Sequence, residues 1–240
     1  MAADPFDEHA HLEGVPSAYA GVRDGMDALL RDRGLRRSTP DVTAESLLRG
    51  ADASASLETG TRDLEALRAG TADPTAMACA RMSTQLLGLV PVWQRSPLQA
   101  LARVHALVAA GLVPDDDLGR PFQPSGSARL AALARTLAQP TQAPGLLVAA
   151  LVHAEVVAAN AFVSHNAVVA RAAERLVLVA RGVDPAGVTV PEAGHAARPG
   201  AYAGALGAYA GGEPAGVHRW LLYAAEAFAV GVEATPLAPR

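Results

Sequence analysis

The sequence contains no lysine, so all 20 of its basic residues are arginines. We interpret the complete replacement of lysine by arginine as genome composition bias. The choice of arginine at a given position is therefore not evidence of a function there. There is one cysteine, Cys79, which excludes an internal disulfide and a zinc site built from several cysteines. It lies in an apolar stretch, which predicts an inert core residue, and no metal site is predicted anywhere in the chain.

The chain also lacks a strong net charge of either sign, with a net charge of −4. This balance argues against a nucleic-acid partner held by phosphate attraction. Every apolar stretch of 18 residues contains at least one charged residue, so we expect no membrane-spanning helix. The N-terminal residues 1–13 are acidic and polar, unlike a signal peptide, and we expect them to form a loose tail. Together these features predict a cytoplasmic protein.

What the sequence has in abundance is alanine, with 54 residues among 240. Alanine is the best helix former, and β-branched residues other than valine are scarce, so we expect an all-α fold. Residues 1–40 are predicted to form an N-terminal tail and helix, joined through a basic link at 36–40 to one helical domain over 41–240. The segment 111–127 combines prolines, glycines and an acidic run, which predicts a surface loop or flap.

The central feature is a helix, a short loop and a second helix. Leu146–Ala159 is apolar almost all round, which predicts a buried helix, and Val168–Arg181 forms the second. The intervening loop lies at a helix N-terminus, where free N–H groups favour an anion such as phosphate. Arg171 lies one turn into the second helix and can reach such an anion with a bidentate fork. Short loops between helices are also common without any ligand, so a structural interpretation stays open.

At this loop the sequence resembles the Fic family, whose members typically move the AMP part of ATP onto a hydroxyl of a target protein. The family motif is His-Pro-Phe-x-Asp/Glu-Gly-Asn-Gly-Arg-x-x-Arg. An ungapped alignment retains three of its residues, Phe162, Asn166 and Arg171. The other positions differ, with Asn160 for the His, Ala161 for the Pro, Ser164 for the acidic residue, His165 and Ala167 for the two glycines, and Val168 for the first Arg.

The resemblance extends over roughly residues 42–233, including the helices on either side of the loop. The stretch SLLRGADASASLET resembles the inhibitory helix of the family, whose pattern is Ser/Thr-x-x-x-Glu-Gly/Asn. Ser54 and Glu58 fit this pattern, and Thr59 departs from it. The resemblance implies a Fic-like helical bundle with an inhibitory helix at about 42–58, and allows a short β-hairpin flap. It also implies that Glu58 pairs with Arg171.

The departures bear on the mechanism that the resemblance implies. In the family the motif His is the general base, and the amide of Asn160 cannot accept a proton at neutral pH. The acidic residue holds Mg²⁺, and Ser164 cannot supply its charge. The resemblance implies ATP and Mg²⁺ as possible cofactors. The loss of the acidic residue and of the first Arg weakens this expectation. The expected nucleotide-binding residues are Phe162, Asn166, Ala167 and Arg171.

Three functions remain open from the sequence. The first is a degenerate Fic-fold protein that lacks ordinary AMP transfer and binds a nucleotide, another ligand or a protein partner. The second is an enzyme with reassigned chemistry, which carries out a nucleotidyl or related phosphate-group transfer with His165 or His153 as its base. A nucleophilic pair of Ser164 with His165 is not expected, because adjacent side chains in a loop usually point apart. The third is a purely structural helical module. His195 is predicted to be an exposed loop residue, and His153 a hydrogen-bonded core residue.

Overall fold

The computed structural model describes residues 4–31 and 35–237, with only the backbone for residues 35–39. Within these ranges the chain forms thirteen α-helices and two short 3-10 turns, Leu87–Leu89 and Asp115–Asp117. The helices are α1 Asp7–Ala10, α2 Val15–Leu30, α3 Leu35–Thr59, α4 Leu64–Ala69, α5 Pro74–Leu86, α6 Val90–Arg95, α7 Pro97–Ala109, α8 Pro124–Leu137, α9 Gly145–Ala159, α10 Asn166–Ala180, α11 Pro191–Ala197, α12 Pro199–Ala210 and α13 Pro214–Glu233.

Proline sets the start of many of these helices. Its fixed φ suits the first helical turn, where its missing N–H would have no partner in any case. Six helices begin on a proline, namely α5, α7, α8, α11, α12 and α13. The 17 prolines of the sequence are therefore compatible with an all-α fold, as the alanine content predicts.

Helices α9 and α10 pack against each other at the centre of the molecule and confirm the predicted helix-loop-helix. Helix α9 is apolar on almost every side and most of its residues are buried, as expected for a central helix. Helix α10 is almost as deeply buried, yet it carries Arg171, Glu174 and Arg175, all at most 1% exposed. Buried charges of this kind need partners, and those partners define the site described below.

The N-terminal segment is tied to the body of the protein, so the prediction of a loose tail is wrong for its described part. Phe6 is buried, and Asp4 accepts hydrogen bonds from the Thr141 hydroxyl and the Gln142 N–H. Helix α2 packs against α13, where the Tyr19 hydroxyl donates to the Leu221 carbonyl at 3.1 Å. Residues 1–3 lie outside the described part of the chain.

Helix α3 is longer than the inhibitory helix expected at about 42–58. It begins at Leu35 and includes Pro40, so the link predicted at 36–40 is helical and the boundary predicted at residue 40 falls within α3. The helix packs against α5 and α11, and its last turns run past the middle of α10. This course brings the end of α3 to the buried charges of α10.

The segment 111–123 crosses the surface without forming a hairpin, so the flap allowed by the resemblance is absent as a β-structure. Its one β-bridge joins Ala110 to Val113, and α8 begins at Pro124. Across the described ranges, no helix has both the length and the apolar character that crossing a membrane requires.

Candidate functional site

The loop between α9 and α10 is bounded by two residues with left-handed backbones. Asn160 has φ 42° and His165 has φ 56°, and they are the two non-glycine residues of the described chain with positive φ. Asparagine tolerates this conformation well, whereas histidine adopts it less readily. The positive φ at His165 gives a physical reason for the glycine that the Fic motif has at this position.

Asn166 holds the loop closed from the first residue of α10. Its Oδ1 accepts the N–H of Phe162 at 2.9 Å, and its Nδ2 donates to the Phe162 carbonyl at 2.8 Å. The same Nδ2 donates to Oδ1 of Asn160 at 3.0 Å. One carboxamide therefore fixes both ends of the loop, and the Asn160 side chain is used as an acceptor inside it.

The ring of Phe162 anchors the loop in the core beside a residue that the sequence reasoning missed. It stacks on His105 of α7, with ring centroids 4.4 Å apart and planes 8° apart. Nδ1 of His105 accepts the N–H of Gly119 at 2.9 Å, and burial lowers the pKa of His105 to about 4. The His105 ring is therefore neutral at pH 7, with its proton on Nε2.

Two further contacts bring neighbouring segments onto the loop. The N–H of Phe122 donates to the carbonyl of Ala161, linking the 111–123 segment to the loop. Gly126, in the first turn of α8, lies so close that a Cβ there would come within 2.6 Å of the Ala159 carbonyl oxygen. The loop is thus supported from α7, α8 and the 111–123 segment.

Ser164 and His165 form a pair that the sequence reasoning did not expect. The Ser164 Oγ lies 2.7 Å from Nδ1 of His165, so the prediction that these adjacent side chains point apart is wrong. The left-handed backbone at His165 turns its side chain back toward its neighbour. Burial lowers the pKa of His165, which favours a neutral imidazole able to accept the hydroxyl proton.

Arg171 is a buried guanidinium held by four polar contacts. It is 1% exposed, its Nε donates to the Ser54 hydroxyl at 2.8 Å, and its Nη2 donates to the Ser54 carbonyl at 3.1 Å. Nη1 donates to the hydroxyl of Tyr202 at 3.2 Å. The fourth contact is with the carboxylate of Glu58, whose Oε1 lies 2.6 Å from Nη2.

The predicted pairing of Glu58 with Arg171 is therefore confirmed as a contact. Burial alone would lower the pKa of Arg171, but Tyr202 and Glu58 outweigh it and raise the pKa above its ordinary range. Arg171 stays charged, and its side chain is 1% exposed, whereas that of Glu58 is 31% exposed. Glu58 is thus the partner through which solvent or a ligand could reach the guanidinium.

A second polar cluster lies directly behind Arg171. The Tyr202 hydroxyl also contacts Nε2 of His153 at 2.8 Å, and Nδ1 of His153 is bonded to the carboxylate of Glu174. Burial lowers the pKa of His153 to about 4. Burial would raise the pKa of Glu174, but His195 and His153 beside it outweigh that effect and lower it to about 2. His153 is completely buried, as expected of a core histidine.

His195 completes this cluster, so its prediction as an exposed loop residue is wrong. It lies in α11 and is fully buried, with Nε2 at 3.2 Å from both oxygens of Glu174. Proline and glycine around it suggested a loop, but Pro191 begins a helix and Gly194 allows close contact with α13. Arg171, Glu174 and Arg175 are spaced at i, i+3 and i+4 on α10, which places them on one side of the helix. This spacing is the sequence signal that could have indicated a polar cluster there.

The structure divides the predicted site residues into two groups. Asn160, Phe162, Ser164, His165 and Asn166 belong to the loop, and Ser54, Glu58 and Arg171 meet behind it. Ala167 is half-buried and Val168 fully buried in the first turn of α10. Among the described hydrogen bonds, none joins the Arg171 side chain to the loop, because α3 and Tyr202 take all its contacts.

These elements define an all-α protein built around a buried helix-loop-helix with a polar site at the loop. A similar fold occurs in a Fic family protein from Desulfovibrio desulfuricans G20, at 18% identity and TM-score 0.77, over 92% of this chain and 74% of that one. A similar fold also occurs in Fic-1 from C. elegans, at 17% identity and TM-score 0.68, over 95% of this chain and 72% of that one. No protein-family model and no curated protein matches the sequence. The chain therefore has the Fic fold, as its resemblance predicts.

Proposed function

We propose that this Fic-fold protein binds a phosphate-bearing ligand at the helix-loop-helix and does not transfer AMP. The observation that carries the proposal is the contact between Oδ1 of Asn160 and Nδ2 of Asn166. At the position of the family's general base stands an amide that is already occupied in holding the loop. General base catalysis contributes about 10²–10⁴ in rate, and an amide cannot supply it.

The surroundings of Asn160 support the same conclusion. Ser164 replaces the carboxylate that would hold Mg²⁺, and its hydroxyl is bonded to His165. Val168 replaces a phosphate-binding arginine and is fully buried. Base, metal ligand and one phosphate contact are thus missing together, so restoring one of them would leave the other two defects.

Arg171 keeps its charge at the N-terminal part of α10, and its N–H groups supply the phosphate contacts of the proposed site. Three of its four contacts come from Ser54 and Tyr202, both buried, and the fourth from the partly exposed Glu58. A phosphate would have to displace the Glu58 carboxylate, since both compete for the same N–H groups. We infer that Glu58 keeps the affinity for phosphate ligands low in the state described.

A calorimetric screen tests the proposal with ATP, ADP, GTP and CDP-choline, each with and without Mg²⁺. We expect Glu58→Ala to bind at least one of them more tightly than the wild type. At a ligand concentration of about one hundred times Kd, binding stabilises the native state by about 2.7 kcal/mol, so a thermal shift gives a second readout. The matched control is Glu65→Ala, since Glu65 is an exposed glutamate paired with Arg68 away from the site.

Two results would contradict the proposal in different ways. If neither the wild type nor Glu58→Ala binds any of these nucleotides, the phosphate site is not functional and a protein partner or a structural role is favoured. If the wild type converts ATP into a covalent AMP adduct, the loss of AMP transfer is wrong.

The second candidate is an enzyme with reassigned chemistry, which the contact between Ser164 and His165 favours. A neutral imidazole beside a hydroxyl can take its proton and make the oxygen a nucleophile. His153 is less suited as a base, because it is buried and both ring nitrogens already have partners. A fluorophosphonate probe distinguishes the candidates: labelling that is lost in both Ser164→Ala and His165→Ala supports the enzyme, and no labelling supports the binding protein.

A further inference from the structure

We propose that His153, Glu174 and His195 form a buried binding site for one divalent transition-metal ion of the zinc class. The three residues come from α9, α10 and α11, which converge in the core. One ligand atom from each lies within 4.8 Å of the others. The proposal is independent of nucleotide binding at the loop.

The distances suit a small ion with nitrogen and oxygen ligands. Nε2 of His195 lies 3.2 Å from each oxygen of Glu174, and Nδ1 of His153 touches the same carboxylate. Ligand atoms at about 2.0–2.2 Å from a tetrahedral zinc ion lie about 3.3 Å from one another, so small side-chain movements suffice. Two imidazole nitrogens and a bidentate carboxylate give four donor atoms, which makes a closed site of the structural kind.

Tyrosine hydroxyls hold both imidazoles from the other side. Nε2 of His153 contacts the Tyr202 hydroxyl at 2.8 Å, and Nδ1 of His195 contacts the Tyr223 hydroxyl at 3.2 Å. Histidines that bind metals usually donate their second N–H to such an outer partner, which fixes ring orientation and tautomer. Each ring therefore presents its other nitrogen to the carboxylate and to an ion beside it.

Charge also favours a cation here. Glu174 is fully buried, and the Arg171 guanidinium is joined to the cluster through the hydroxyl of Tyr202. The guanidinium of Arg175, which also interacts with Glu174, is paired with Glu192. A buried carboxylate beside two imidazole rings favours a cation that binds all three side chains at once. The competing occupants are protons on the two facing nitrogens, so metal and protons are alternatives for the same three side chains.

The ligand set selects the class of metal. Two imidazoles with one carboxylate suit zinc, cobalt or nickel, whereas Mg²⁺ and Ca²⁺ prefer oxygen ligands alone. All three side chains are at most 1% exposed. An ion would therefore enter the cluster while the chain folds, before the helices close around it. Loading is therefore expected during refolding and only slowly in the native protein.

The experiment is to unfold the full chain in guanidinium with a chelator and to refold it without metal, with Zn²⁺ or with Co²⁺. After desalting we expect one zinc ion per chain by mass spectrometry, a Tm above that of the metal-free sample, and visible absorption typical of four-coordinate Co²⁺. Glu174→Gln and His195→Asn should each lose the bound metal. His105→Asn, which removes a buried histidine outside the cluster, should keep it.

The wild type alone decides the matter if the cluster variants fail to fold. Refolded wild type that carries no stoichiometric zinc, with the same Tm whether or not zinc was present, would overturn the proposal and identify a proton-bonded network. Stoichiometric zinc that persists in folded His195→Asn would overturn it as well, because the ion would then lie elsewhere.

Discussion

The carboxylate of Glu58 lies 2.6 Å from the guanidinium of Arg171, across 113 positions of sequence. The contact joins the last turn of α3 to the first part of α10, the two elements that the sequence singled out. Three of the other four N–H groups of Arg171 donate to Ser54 and Tyr202.

Glu58→Ala should lower the free energy of unfolding by about 2 kcal/mol. Breaking a wholly buried pair costs about 3–5 kcal/mol, and the 31% exposure of the Glu58 side chain lets water reduce that penalty. Denaturant unfolding measures the change. Glu65→Ala removes an exposed glutamate and should alter stability by no more than about 0.5 kcal/mol. Equal stability of Glu58→Ala and wild type would mean that the pair does not restrain α3.

Asn166→Ala should loosen the loop while leaving α9 and α10 paired. The substitution removes three hydrogen bonds, and the N–H and carbonyl of Phe162 lose their partner. We expect a loss of about 1–3 kcal/mol and faster hydrogen exchange at the Phe162 amide. Asn160→Ala removes one of the three bonds and serves as the milder control. Unchanged protection of the Phe162 amide in Asn166→Ala would contradict this role.

His105 should make stability depend on pH in the acid range. Burial lowers its pKa from 6.5 to about 4, against smaller opposing effects of Asp117 and the Ser164 backbone, while His165 lowers it further. The unfolded chain therefore binds more protons between pH 6.5 and 4, and stability falls as the pH drops through this window. The part due to His105 is about 3 kcal/mol at most. His105→Asn should show a shallower fall than wild type in unfolding measured across these pH values, and parallel curves would refute the assignment.

Cys79 should be inert in the folded protein. Its thiol is fully buried, and burial raises its pKa to about 12, so almost no thiolate exists at pH 8. We expect no reaction with a disulfide exchange reagent under native conditions and complete reaction after unfolding. Rapid native labelling would show that the helix α5 opens readily at this position.

The sequence predicts the helices well where their pattern is strong. The continuous apolar character of α9 and the interrupting polar loop were enough to locate both central helices within two residues. The N-terminal segment, by contrast, has the composition of a tail, and the sequence does not reveal how it is anchored. Its anchors are single contacts such as that of Asp4 with Thr141. Such long-range contacts leave no periodic signal in the sequence.

Site prediction was more uneven, for a physical reason. Glu58 and Arg171 could be paired because the motif resemblance links two distant segments. His195 could not be assigned, since its partner Glu174 lies 21 positions away on another helix and only packing brings them together. The contact of Ser164 with His165 depends on the left-handed backbone at His165, which residue types alone do not specify.

The central claim, a Fic fold that does not transfer AMP, is tested most directly with ATP labelled in its α-phosphate. Wild type, Glu58→Ala and Asn160→His are each incubated with this ATP and Mg²⁺, alone and with added proteins, and covalent label is measured. We predict no labelled protein in any sample, since Ser164 and Val168 remain defective even when a histidine stands at position 160. Covalent AMP in the wild type, lost in Asn160→Ala, would contradict the account.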